Sequence, residues 1–167
     1  FIAQSGTISI TLMGQQRSLP LGYVITLGNQ QRLATEDLIR YCTEDERVSA
    51  IGLYLEGILD LSKFIEAVDY AHTLGKPIAL VKAGRSEQGS NAAQTHTGAL
   101  TGSDALHNEL FERLGIARCE TLSSLVETLK LLHCFGTLPS NRILVLGPSG
   151  GDMVMTSDTA SGLDLDF

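Results

Sequence analysis

Tryptophan is absent from this 167-residue chain, and aromatic side chains make up only 5% of it. That leaves little with which to stack a flavin ring. Nor does an acidic pair follow the first strand, so flavin-binding and receiver readings lose their support. Cations are also scarce, 12 Lys and Arg against 19 Asp and Glu, for a formal net charge of -7. Such a balance argues against nucleic acid or an anionic membrane as the main partner. No apolar run approaches the ~20 residues that a spanning helix needs, and no signal peptide is visible. Cys42, Cys119 and Cys134 are widely spaced and form no C-x-x-C. They read as buried free thiols in a reducing cytoplasm. No spacing among the histidines and cysteines suggests zinc, so no metal is expected. No G-x-S-x-G elbow supports a serine hydrolase.

What is present is an ordinary globular composition, 43% hydrophobic and 19% charged. The length suits one full core, or one domain with part of a second. Phe1 already lies inside an apolar run and no initiator Met precedes it, so the chain reads as an excerpt from something longer.

Short apolar runs alternate with longer amphipathic segments, the βαβ signature of a mostly parallel sheet. Strands are expected at 1–3, 23–27, 51–55, 77–81 and 116–118. Between them fall helices from about Thr7 to Arg17, Thr35 to Tyr41, Leu61 until Gly75 stops the turn, and Asp104 to about Leu114. A fifth helix, capped by Thr121, runs to about His133. The result is a complete flavodoxin-like doubly wound unit over residues 1–136. Residues 137–141 are linker by composition. Residues 142–167 hold a further strand at 143–146 and a helix, the first βα unit of a second similar domain.

The stretch Thr95-His96-Thr97-Gly98-Ala99-Leu100 sets one histidine among hydroxyls and glycines, in a loop of about residues 84–102. A reactive imidazole needs space and nearby backbone donors, which small residues supply, so His96 is the candidate for covalent chemistry. The remaining histidines, His72, His107 and His133, read as surface or boundary residues of helices. A strand, then Ser-Gly, then a helix occurs twice, at Ser5-Gly6-Thr7 and at Ser149-Gly150-Gly151. Free N–H groups and the positive end of the helix dipole make such a turn a candidate anion cradle. Glu56 follows Leu53-Tyr54-Leu55 directly. Its carboxylate could orient an imidazole by accepting the second ring N–H, or could be a solvated loop glutamate.

Five stretches taken in order resemble the NDP-forming acyl-CoA synthetase superfamily, which includes ADP-forming acetate–CoA ligases and the succinyl-CoA synthetase α subunit. They are Gln4-Ser5-Gly6-Thr7, Thr26-Leu27-Gly28-Asn29, Leu53-Tyr54-Leu55-Glu56-Gly57, Leu80-Val81-Lys82-Ala83-Gly84-Arg85-Ser86 and the His96 stretch. Residues 143–158 look like the start of the family's next flavodoxin-like domain. The resemblance implies conversion of acyl-CoA, phosphate and nucleoside diphosphate to acid, CoA and nucleoside triphosphate. In that chemistry an acyl phosphate hands its phosphoryl group to a histidine, matched here by His96. Glu56 matches the glutamate that orients it, and the two Ser-Gly helix starts match the phosphate seats. At the second seat Pro148 and Asp152 depart from the usual pattern. No tightly bound cofactor is implied; CoA, phosphate and ADP or ATP with Mg²⁺ are substrates. The implied partners are a CoA-binding Rossmann domain and an ATP-grasp domain or subunit, in an oligomeric cytoplasmic enzyme. Alone, the excerpt is expected not to turn over. The alternative is a regulatory or scaffolding ligase-like module, of the kind fused to protein acetyltransferases, in which the histidine is often lost.

Overall fold

The computed structural model describes residues 1–86, 88–89 and 103–167. Its chain divides into two compact units, Phe1–Gly136 and Thr137–Phe167. The first is built from β1 (Ile2–Ala3), α1 (Gly6–Met13), β2 (Ile25–Thr26), α2 (Thr35–Glu44), β3 (Ile51–Leu55), α3 (Leu61–Thr73), β4 (Ile78–Lys82), α4 (Asp104–Arg113), β5 (Ala117–Cys119) and α5 (Leu122–Phe135). All four strand pairings are parallel and the order is β2-β1-β3-β4-β5. That is the flavodoxin-like doubly wound order, as the alternation of runs predicts.

The period-2 geometry of strands divides the apolar residues between two faces. Ile51, Leu53, Leu55, Ile78 and Leu80 pack under α2, α3 and α4, against Ile39, Phe64, Val68 and Phe111. Ala3, Ala79 and Val81 face α1 and α5, against Leu12, Leu125, Val126 and Leu129. Each fully buried large side chain contributes about 2 kcal/mol of apolar transfer. α5 lies so close to β3 that a Cβ on Gly52 would stand 2.6 Å from Leu129 Cδ1. A larger residue there would require the Leu129 side chain to shift.

Several sequence expectations are corrected. α1 ends at Met13, with Gly14 as C-cap, rather than near Arg17. In α4, where the spacing sets Leu106, Leu110 and Leu114 on one face, Leu110 and Leu114 pack on the core, but Leu106 is 65% exposed and the fully buried side chain is Phe111. Cys42 and Cys119 are buried free thiols, but Cys134 is exposed.

In the second unit, α6 (Gly150–Ala160) forms as expected, whereas the strand at 143–146 does not. A strand exists through its hydrogen-bonded neighbour. Among the described residues here, pairing is limited to one bridge between Arg142 and Asp166. Leu144 and Leu146 remain more than 80% exposed, at 83% and 85%.

Candidate functional site

The parallel register sets Ala3 beside Tyr54 and Leu55 beside Lys82. Gln4-Ser5, Glu56-Gly57 and Ala83-Gly84 therefore leave the sheet side by side at its carboxyl edge. In open α/β sheets this is the edge that receives ligands.

A buried polar chain runs along it. The Gln4 side chain accepts the Glu56 N–H (2.6 Å) and the Gly57 N–H (2.9 Å) on Oε1. Its Nε2 donates to the Gly57 carbonyl (2.7 Å) and to Thr35 Oγ1 (3.1 Å). Thr35 Oγ1 and Thr35 N both donate to Gln30 Oε1, each at 2.9 Å. Gln30 has a φ of 53°, uncommon for a residue other than glycine. From the other side, Lys82 Nζ donates to the Glu56 carbonyl (2.9 Å) and to the Ala83 carbonyl (2.5 Å). Farther along, Arg118 Nη2 pairs with Asp104 Oδ1 at 2.6 Å, joining β5 to the start of α4.

Glu56 is 8% exposed, so the reading of it as a solvated loop glutamate does not hold. Neighbouring groups register the burial. The Tyr54 phenol is pushed above its ordinary pKa by burial and then by the Glu56 charge. Burial lowers the pKa of the Lys82 ammonium, which is 3% exposed, while the charges of Asp104 and Glu56 oppose the shift. Burial also lowers that of His107, with the Lys82 charge the next contributor.

The start of α1 is unusual among the described helices. Ser5 is its N-cap, but the hydroxyl makes no capping bond, and the first turn carries no acidic residue. Elsewhere Asp60 caps α3, Thr121 caps α5 and Ser149 caps α6, while α2 and α4 carry acids in the first turn. Among the described residues a Cβ at Gly6 would meet nothing within 4 Å, so the turn is open to them. Among the described residues, then, no side-chain cap covers the α1 amides, which lie in the positive field of the helix end.

Glu56, Ser5, Gly6 and Thr7 accordingly leave adjacent strands, joined by Gln4. His96 lies outside the described residues. Ser149, Gly150 and Gly151 begin α6 in the second unit. There Ser149 Oγ accepts the Asp152 N–H at 3.2 Å. No group of three metal-binding side chains occurs among the described residues. Nor is any described helix long and apolar enough to cross a membrane. Gln4 and Lys82 escaped notice as individual residues. The available signal was a long polar side chain abutting a buried strand, which must find partners.

Fold and edge together define a doubly wound α/β domain with an anion-compatible turn beside a buried carboxylate. A family model described as "Succinyl-CoA ligase like flavodoxin domain" matches residues 1–132. The chain belongs to that family, within the NDP-forming acyl-CoA synthetases. It is 34% identical over 161 residues to the ADP-forming acetate–CoA ligase I subunit alpha of Pyrococcus furiosus, covering 95% of this chain and 35% of that protein. It is 30% identical over 164 residues to an ADP-forming 4-hydroxybutyrate–CoA ligase of Nitrosopumilus maritimus, covering 96% of this chain and 23% of that one. Among solved structures it resembles Ca. Korarchaeum cryptofilum dinucleotide forming acetyl-coenzyme A synthetase 1 in complex with phosphate and ADP. There the TM-score is 0.82 at 32% identity, over 96% of this chain and 35% of that one. The chain thus spans about a third or less of the length of these relatives.

Proposed function

We propose that this chain is the phosphohistidine-carrying portion of an NDP-forming acyl-CoA synthetase. Phosphate attacks the thioester carbonyl of an acyl-CoA, releasing CoA and leaving an acyl phosphate. The imidazole of His96 takes the phosphoryl group, releasing the free acid. Phospho-His96 then passes it to a nucleoside diphosphate, held with Mg²⁺ by an ATP-grasp domain or subunit. CoA is held by a Rossmann domain, and the assembly works as an oligomer in the cytoplasm.

The observation that carries this reading is the pairing of buried Glu56 with the open start of α1. A carboxylate behind a neutral imidazole stabilises the cation that forms on phosphorylation. An uncapped helix start supplies N–H donors to phosphate without a titrating group, and phosphoryl transfer asks chiefly for positioning and charge stabilisation. Ser5, Gly6 and Thr7 hold the phosphate in the first seat; Ser149, Gly150 and Gly151 form the second, once the Ser149 cap opens. Family membership, and a similar structure described as a complex with phosphate and ADP, support the same chemistry.

The test is labelling of the full-length protein by radioactive phosphate with acyl-CoA, or by ATP labelled at the γ-phosphate. Acid-labile label is expected, and His96→Ala is expected to abolish it. Label that survives His96→Ala overturns the reading. Label on His96 without net thioester turnover assigns the chain to the regulatory class instead.

A further inference from the structure

The Glu56 peptide is gripped from both sides by side chains that the phosphoryl chemistry itself does not need. Gln4 takes its N–H, and the next N–H as well, while Lys82 holds its carbonyl. Gln4 spends both lone pairs of its oxygen and both amide hydrogens, so its plane and position are fully determined. Lys82 ties that peptide to β4 at the point where the chain departs toward His96. Burying an ammonium is costly, and a strand-end lysine could reach solvent by turning outward. Its 3% exposure marks a cation kept inside for its contacts.

We infer that Gln4 and Lys82 are positioning residues, a two-sided clamp that fixes the Glu56 backbone and so the point from which its carboxylate acts. The inference rests on the proposed role of Glu56. A carboxylate that must meet one face of an imidazole gains from a backbone that cannot shift, because small misplacements of reacting groups are expensive. Gln4 also joins the clamp to the open turn, since Ser5 follows it directly. One buried amide thereby sets the anion seat and the carboxylate relative to each other.

Two measurements on the full-length protein separate this inference from the functional reading. The first is hydrogen exchange at the Glu56 and Gly57 amides in Gln4→Leu, with the Val68 amide of α3 as internal reference. At least about tenfold faster exchange at the two clamped amides, relative to Val68, is expected when a buried bond is lost. Unchanged relative exchange overturns the clamp whatever the activity.

The second is a double-mutant cycle on the rate of His96 labelling, using Gln4→Leu, Lys82→Met and Glu56→Gln. Each clamp variant is expected to lose about 10- to 100-fold in rate, as outer partners of reactive groups do, with the KM for acyl-CoA changed less than about twofold. In the Glu56→Gln background the same changes are expected to cost under about threefold more. Full additivity shows that the residues do not act through Glu56 and overturns the positioning role, while the functional reading stands. If the wild-type protein takes no label, the functional reading falls and the positioning role falls with it, whatever the exchange shows.

Should Gln4→Leu fail to fold, Gln4→Met, which also lacks the amide acceptor, serves for the exchange and Gln4→Glu for the labelling. Its ionised carboxylate can still accept the two amides but faces the Gly57 carbonyl without a hydrogen. Labelling relative to wild type is therefore expected to recover as pH falls and the introduced carboxyl gains a proton. A ratio that stays flat with pH overturns the clamp.

Discussion

Ser5 and Ser149 each stand directly ahead of a glycine-led helix, yet they use their hydroxyls differently. Ser149 caps its own helix at 3.2 Å, and Asp152 brings a carboxylate into the same turn. Ser5 makes no such bond, and its helix starts with Gly-Thr-Ile and no acid. An incoming anion must displace the cap and face the acid at α6, and must do neither at α1. Similar residue patterns therefore give one helix start that is capped by its own serine and one that, among the described residues, has no side-chain cap.

The largest expected effect tests this contrast at the glycines. Among the described residues a Cβ at either Gly6 or Gly150 meets nothing within 4 Å, so both positions accept a Cβ without a clash. Gly6→Val is expected to slow phosphate-dependent labelling of His96 at least tenfold, about 1.4 kcal/mol of barrier, with no loss of thermal stability. Gly150→Ala is expected to slow it less than about threefold. Equal losses would erase the distinction, and an unaffected Gly6→Val would remove α1 as the phosphate seat.

Next in size is the cap itself. Ser149→Ala is expected to cost about 1 kcal/mol of α6 stability, seen as roughly fivefold faster exchange of the Asp152 amide. Ser5→Ala removes no capping bond and is expected to leave the α1 amides and the melting temperature unchanged. A stability loss at Ser5 matching that at Ser149 would break the comparison.

The alternation of apolar runs made the doubly wound sheet legible, because buried parallel strands and amphipathic helices carry different periods. The edge was legible where chemistry is local. Thr121 capped its helix as expected, accepting the Ser124 N–H at 3.1 Å. The strand at 143–146 shows the limit, since four apolar residues announce a strand but cannot supply its neighbour. The contacts of Gln4 were hidden for a related reason. They depend on |i−j| separations of 31, 52 and 53, which no local pattern records. The Ser5 and Ser149 turns also could not be told apart fully, because a hydroxyl's choice of partner is a matter of rotamer.

The smallest expected effect compares the α1 start with that of α2, which carries its own acids. Asp37 accepts the Ala34 N–H at 2.9 Å. Glu36 is 3% exposed, and its Oε2 has no hydrogen-bond partner among the described residues. Burial raises the pKa of Glu36 above its ordinary value. A carboxyl whose folded pKa is raised costs stability once ionised, so the penalty is present at neutral pH and fades as pH falls through the folded value toward the unfolded one. At the other end of α2, Asp45 accepts hydrogen bonds from Arg47 and Tyr23, which hold its carboxyl well below the usual range. Its contribution has the opposite sign: present above the unfolded pKa and lost as pH falls through the lowered folded one. Glu36→Gln is therefore expected to raise the melting temperature slightly at pH 7, with the gain vanishing near pH 4. Asp45→Asn is expected to lower it at pH 7, with the deficit shrinking only in stronger acid. Melting curves of both variants across pH 3–8 decide it. Parallel responses would mean that a buried acid at a helix start is no penalty here, and the acid-free start of α1 would lose its meaning as a space kept for a ligand's charge.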